Sequence, residues 1–138
     1  MNSYKYKEIK IGLSQSFDAV ITQKMMDDFL SMSADTNPLH TDREYAKEHG
    51  YPSQVVYGML TASFYSTLVG VYLPGKFALL TAIDVSFNKP VFVEDKIKVF
   101  GEVSYMNDAF RQIEIKAYIE NQDNVKVSKA KIKVGLYE

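Results

Sequence analysis

Apolar positions in the first half of the chain recur at helical spacing, and in the second half they alternate. Thr22 is a candidate N-cap, and Met25, Met26, Phe29, Leu30 and Ser33 follow it on one helical face. That helix runs out at residues 33–35, where an Asn37-Pro38 turn begins; proline drives the residue before it out of helical geometry. Asp42 can cap a short second helix through Tyr45 and Ala46, closed by Gly50. Between residues 58 and 73 nearly every position is apolar or small, including Met59, Leu60, Ala62, Phe64, Leu68, Val69, Val71 and Tyr72. A helix apolar all round must be wrapped by other structure. Pro74-Gly75 ends it.

An extended segment is expected around residues 9–19, and from Phe77 onward the period is two. Ile97, Val99, Gly101, Val103 and Tyr105 alternate with Lys96, Lys98, Glu102 and Ser104; Ile113, Ile115, Ala117 and Ile119 alternate with Glu114, Lys116 and Glu120. The last strand starts with Val125 and Val127 inward but continues with Ala130, Ile132 and Val134 inward. One slipped residue exchanges the faces of a strand, so this flip predicts a β-bulge near Ser128-Lys129. Asn107-Asp108 and residues 121–124 supply turns, which makes these strands an antiparallel meander. The pattern predicts an α+β fold: an antiparallel sheet, solvated on one face, curling around a long apolar helix.

At 138 residues the chain is expected to form one domain over 1–138. A chain of that length buries roughly 70% of its unfolded surface, so no disulfide or structural metal is required. Net charge is −1, with cations interspersed among anions, so no nucleic-acid partner is expected. Cysteine is absent, which excludes thiol catalysis and cysteine-ligated zinc and favours a cytoplasmic location. Residues 1–10 lack the apolar core of a secretory signal. The apolar stretch at 55–73 is interrupted by Thr61, Ser63, Ser66, Thr67 and Gly70, and reads as a buried helix, not a membrane span.

Candidate chemistry concentrates at Asp35-Thr36-Asn37-Pro38-Leu39-His40. The Asn-Pro turn bends the loop so that a carboxylate and an imidazole face each other, an arrangement suited to acid–base work on one water molecule. The plainer alternative, in which Asp35 and His40 only cap helices, stays open on spacing alone. Adding His49 would give a carboxylate-rich and atypical zinc set, so no metal site is expected; His49 reads as a cation near a helix C-terminus. Gly58, after Tyr57, opens the buried helix, where bare N–H groups can hold a carbonyl oxygen that gains charge. Close helix–sheet packing would equally ask for glycine there. Ser66 lies on roughly the same helical face, or bonds the carbonyl four residues back. Lys96, Lys98, Lys126, Lys129, Lys131 and Lys133 read as solvated strand faces, phosphate contact by one or two of them being the alternative.

Residues 33–40, with Ala46 beyond them, resemble the hydratase-2 signature of the MaoC-like family, which includes the (R)-specific enoyl-CoA hydratases. Val55-Val56-Tyr57-Gly58-Met59-Leu60, Leu73-Pro74-Gly75-Lys76, and Ser86-Phe87 with Pro90-Val91-Phe92-Val93 and Asp95 fit in order, so the resemblance covers roughly residues 17–103. It implies a hotdog fold, a homodimer with sites at the subunit interface, and a thioester substrate carried by CoA or acyl carrier protein, with no cofactor. It further implies that Asp35 and His40 hold and activate water, that the Gly58 N–H binds the thioester carbonyl, and that Asn37 and Ser66 support the site. Similar chains carry His-Gly where this one has Tyr57-Gly58; a tyrosine can still donate a hydrogen bond and pack, so Tyr57 is a further supporting residue and the departure touches substrate preference more than mechanism. The implied reaction is hydration of trans-2-enoyl thioesters or its reverse, performed by a hydro-lyase. An acyl-carrier-protein or pathway-specific 3-hydroxyacyl dehydratase, a hotdog thioesterase, and a non-catalytic acyl-thioester-binding dimer are the alternatives.

Overall fold

The computed structural model describes residues 1–138. Five strands, β1 (Ser14–Val20), β2 (Ala78–Phe87), β3 (Lys96–Asn107), β4 (Gln112–Glu120) and β5 (Lys126–Leu136), form one antiparallel sheet in the order β1-β3-β4-β5-β2. Four helices precede β2: α1 (Gln23–Ser33), α2 (Pro38–Thr41), α3 (Arg43–Glu48) and α4 (Gly58–Thr67). The α4 helix lies in the concave face of the sheet, where Leu60, Tyr65 and Leu68 meet Val99, Val103, Ile115 and Ile132 in one core. This sheet wrapped around a helix is the hotdog arrangement.

Local signals account for most boundaries. The Thr22 hydroxyl accepts the Met25 N–H at 3.1 Å to start α1, and Ala34 closes it in the left-handed region at φ 56°. Asp42 caps α3 through the Tyr45 N–H, and Gly50 follows it at φ 90°. The one-turn helix α2, which lacks a periodic signature, is capped by Asn37 with Pro38 in its first turn. The apolar helix is regular only to Thr67; residues Leu68–Tyr72 widen into a π turn, closed by the Leu73 N–H on the Leu68 carbonyl at 2.8 Å.

Gly101 belongs to the inward series of β3 for a steric reason. A Cβ there would come 2.7 Å from a methyl carbon of Leu68, so glycine is what lets the helix approach the sheet. Beside this contact the core holds one polar chain: the Tyr65 hydroxyl donates to Ser128 Oγ, which donates to the Ser86 carbonyl, each at 2.9 Å.

The alternation is broken in two places that bear on the expected faces. In β5 the register slips between Ile119↔Ser128 and Glu120↔Lys126, leaving Val127 as the extra residue. The bulge therefore exists, one position before the dipeptide that the sequence indicates, and Val127 and Ser128 are both buried. Val125 falls outside β5 and is 38% exposed, so it is not an inward residue. In β3 a second slip at Ser104 turns Tyr105 outward, 51% exposed, and Met106 in toward the core.

The expectation that α4 is wrapped on all sides also needs correction. Met59, Ser63 and Ser66 form an exposed stripe along it, and the neighbouring edge strand β2 exposes Leu79, Leu80, Ile83 and Phe87. No helix is long and apolar enough to cross a membrane.

Candidate active site

The loop after α1 is built by a relay of short-range hydrogen bonds. Ser33 Oγ donates to the Phe29 carbonyl at 2.7 Å and accepts the Asp35 N–H at 3.2 Å. An Asp35 carboxylate oxygen accepts the Asn37 N–H at 3.1 Å, the self-bonding habit that makes Asp a turn residue. Asn37 takes φ −53° and ψ 126°, the extended conformation that Pro38 demands, and its side-chain oxygen accepts the Leu39 N–H at 2.9 Å. Asn37 is thus the cap that starts α2, and α2 carries His40 in its last turn.

His40 is oriented from the other side by main chain. Its Nδ1 lies 2.6 Å from the Val55 carbonyl oxygen, and the Val55 N–H donates to the Leu39 carbonyl at 3.1 Å. A carbonyl only accepts, so Nδ1 carries the hydrogen of this bond, and Nε2 is the ring nitrogen left for other partners. Sequence reasoning could not find the Val55 carbonyl, because a main-chain partner leaves no mark in residue identity.

Val56 bonds to the Val91 carbonyl at 2.8 Å and leads into Tyr57 and Gly58. Tyr57 is the N-cap residue of α4, yet its side chain does not cap the helix. Its hydroxyl instead donates to the main-chain carbonyl of Asp35 at 2.9 Å. Its ring stands 4.3 Å from the His40 ring and 4.7 Å from Phe29, between centroids. Burial, and then the charges of Asp35 and Asp27, push the Tyr57 phenol above its ordinary value, so it stays a donor at neutral pH. The Gly58 N–H finds no acceptor within the chain, as expected for the first turn of a helix.

His40 and Gly58 line one cleft of about 380 Å³, together with Thr61, Phe87, Lys89 and Val127. A Cβ at Gly58 would sit 3.2 Å from the Phe87 ring, so the glycine also keeps this wall close. Asp35 is exposed and is not among the lining residues, although its loop abuts the cleft through Tyr57 and His40. Ser66 stands on the exposed stripe of α4, outside the cleft, with no hydrogen-bond partner in the chain. His49 turns away: its Nδ1 meets the Tyr45 carbonyl at 2.8 Å, and no group of three His, Asp or Glu side chains converges. The lysines of the strands are all exposed, as the alternation indicates.

An (R)-specific enoyl-CoA hydratase of Aeromonas caviae is 39% identical over 80 residues, 58% of this chain and 60% of that one. An (R)-specific enoyl-CoA hydratase of Rhodospirillum rubrum is 33% identical over 92 residues, 67% of this chain and 64% of that one. The chain thus spans about 60–64% of the length of these curated relatives. The solved (R)-hydratase from A. caviae, described as involved in PHA biosynthesis, superposes with a TM-score of 0.90 at 28% identity, covering 94% of this chain and 98% of that one. The model of the MaoC like domain matches residues 6–125. On that match the chain belongs to the MaoC-like domain family.

Proposed function

We propose that this chain, acting as one MaoC-like domain in a homodimer, catalyses the reversible hydration of trans-2-enoyl thioesters to (R)-3-hydroxyacyl thioesters. The observation that carries the reading is the shared cleft of His40, with Nδ1 tied to the Val55 carbonyl, and Gly58, whose N–H is free. The names of the relatives point to the same reaction class.

In the forward direction a water molecule is held between Asp35 and His40. Its oxygen attacks C3 while the Asp35/His40 pair takes one of its protons, and electron density moves through the conjugated system onto the thioester oxygen. The Gly58 N–H meets that charge, aided by the positive end of α4. The carbonyl then re-forms as the Asp35/His40 pair gives a proton to C2 from the same face and returns to its starting state, so one water is added and nothing is released. Asn37 serves by starting the turn that presents His40. Conjugation with the thioester already activates C3, so this chemistry asks for no metal or redox cofactor. Acyl-CoA and acyl-carrier-protein thioesters share the reacting group.

The test is loss of enoyl absorbance with crotonyl-CoA and with the same acyl group on a carrier protein. Asp35→Ala and His40→Ala should each lower kcat/KM by about 10²–10⁴-fold while the melting curve keeps its cooperative form. Full activity in either variant would remove the assigned pair, and release of free thiol in place of hydration would mark a thioesterase.

A further inference from the structure

Tyr57 touches every part of the proposed site while lining none of the cleft. Its hydroxyl holds the Asp35 carbonyl at 2.9 Å, its ring backs the His40 imidazole at 4.3 Å, and its main chain immediately precedes Gly58. Three local features make the hydroxyl bond informative. The loop it grips follows Ala34, a non-glycine residue at φ 56°, so the chain there is held in a sparsely populated conformation. Asp35 itself has no packing to fix it, being exposed, and its carboxylate is steadied only by the Asn37 N–H within the same turn. The Tyr57 bond to Asp35 spans 22 residues and is the one hydrogen bond in which Asp35 engages the body of the fold.

We infer that Tyr57 is a positioning residue, whose phenol fixes the distance between the water-holding loop and the oxyanion-binding helix start. The inference rests on the proposed hydratase reading. The ring is wedged between Phe29 on α1 and His40 on α2, so it cannot follow a loop that drifts. Any displacement of Asp35 is therefore a displacement relative to His40 and Gly58 together. A carboxylate shifted by about 1 Å from its productive place can cost up to 10²-fold in rate without altering substrate binding. The substrate-binding wall, formed by Phe87, Val91 and Val127, does not touch the phenol and would be unaffected.

The experiment is a double-mutant cycle on Tyr57→Phe and Asp35→Asn, read as kcat and KM separately. Tyr57→Phe deletes one oxygen and keeps the ring stack. It is expected to lower kcat about tenfold or more with KM within roughly twofold. In the Asp35→Asn background the same change should lower kcat less than about twofold, because the residue it positions has already lost its charge. An unaltered kcat, a loss expressed in KM, or an equal loss in both backgrounds would each overturn the inference. A merely structural hydroxyl would give the last of these.

A second measurement does not depend on turnover. Amide order parameters at Asp35, Thr36 and Asn37 should drop in Tyr57→Phe from rigid values near 0.85 toward those of a flexible loop, below about 0.6, while α1 is unaltered. Should the wild-type chain hydrate none of the thioesters offered, the proposed function fails. These order parameters then decide the clamp alone: a drop supports it and an unaltered loop refutes it.

Discussion

At the residue scale the candidate site is made by hydrogen bonds of two ranges. The short-range ones, Asp35 to Asn37 and Asn37 to Leu39, follow from the habit of Asp and Asn to bond their own backbone, which is why the Asp-x-Asn-Pro stretch was legible. The long-range ones, His40 to Val55 and Tyr57 to Asp35, depend on how distant segments pack and were not. Ser128 shows the same division, since nothing in an alternating strand announces a buried serine bonded to Tyr65. That pair makes a prediction about pH. Burial pushes the Tyr65 phenol up to about 12 from 10.0, with the Ser128 hydroxyl working in the opposite direction. Between those values the unfolded chain has lost the phenol proton and the folded chain has kept it, so stability is full below pH 10.0 and falls as pH rises toward about 12. Tyr65→Phe should cost about 1 kcal/mol at neutral pH from the lost bond, yet flatten that alkaline decline. Urea unfolding midpoints measured from pH 8 upward check both; a decline as steep as that of wild type would assign it to other tyrosines, such as Tyr6, which is raised to about 12 by burial and Asp108.

At the element scale, close packing is enforced where the chain ends its apolar helix. Gly75 takes φ +88°, and a Cβ on it would fall 2.1 Å from the Asn2 carbonyl oxygen, which accepts the Lys76 N–H at 2.9 Å. Asn2 in turn donates through its main chain to the Val71 carbonyl and through its amide to Tyr72, both at 2.8 Å, strapping the N-terminal segment over the π turn. Gly75→Ala should therefore destabilise by about 2–4 kcal/mol, from left-handed strain plus eviction of the strap. Gly50→Ala provides the control: φ is +90° there too, but nothing lies within 4 Å of its Cβ, so about 1 kcal/mol is expected. Equal losses in the two variants, by thermal or urea melts, would show that the strap contributes nothing. The elements themselves were largely legible, because caps and alternation are local. What was not legible is phase: the slip at Ser104 sends Tyr105 outward although the alternation ahead of it reads inward. The bulge in β5 was found because apolar residues stand on both sides of the slip, whereas at Ser104 only Met106 follows before the turn. On the outer face, paired positions run Glu102, Lys116, Lys131 and Asp84 across β3, β4, β5 and β2, which explains why a lysine-rich pair of strands remains solvated and balanced.

At the scale of the whole molecule, one edge of the fold is unfinished. β2 pairs only with β5, so its other backbone edge is free, and such edges are ordinarily blunted or covered. Its Leu80, Ile83 and Phe87 lie across from Val134, Ile132 and Ser128, on the helix side of the sheet, yet they are 42%, 41% and 50% exposed. Gly58 at the start of α4 comes within contact range of Phe87, and α4 carries an exposed stripe of its own, Met59 (65% exposed), Ser63 and Ser66. We propose that this free strand edge, with its exposed apolar row, is the face of the homodimer: a two-fold axis would set β2 against β2 of a second copy. In such a dimer Ser66, exposed and outside the cleft of its own chain, would have a place only if the second chain covered α4 as well. Ile83→Lys puts a charge at the centre of that face without touching the core, so the monomer should fold. Wild-type chain should then sediment at twice 15.7 kDa and the variant at 15.7 kDa, with hydratase turnover lost alongside dimerisation. A wild-type monomer would end the dimer proposal. A monomeric variant that keeps full turnover would show that one chain supplies the whole site, leaving Ser66 outside the chemistry.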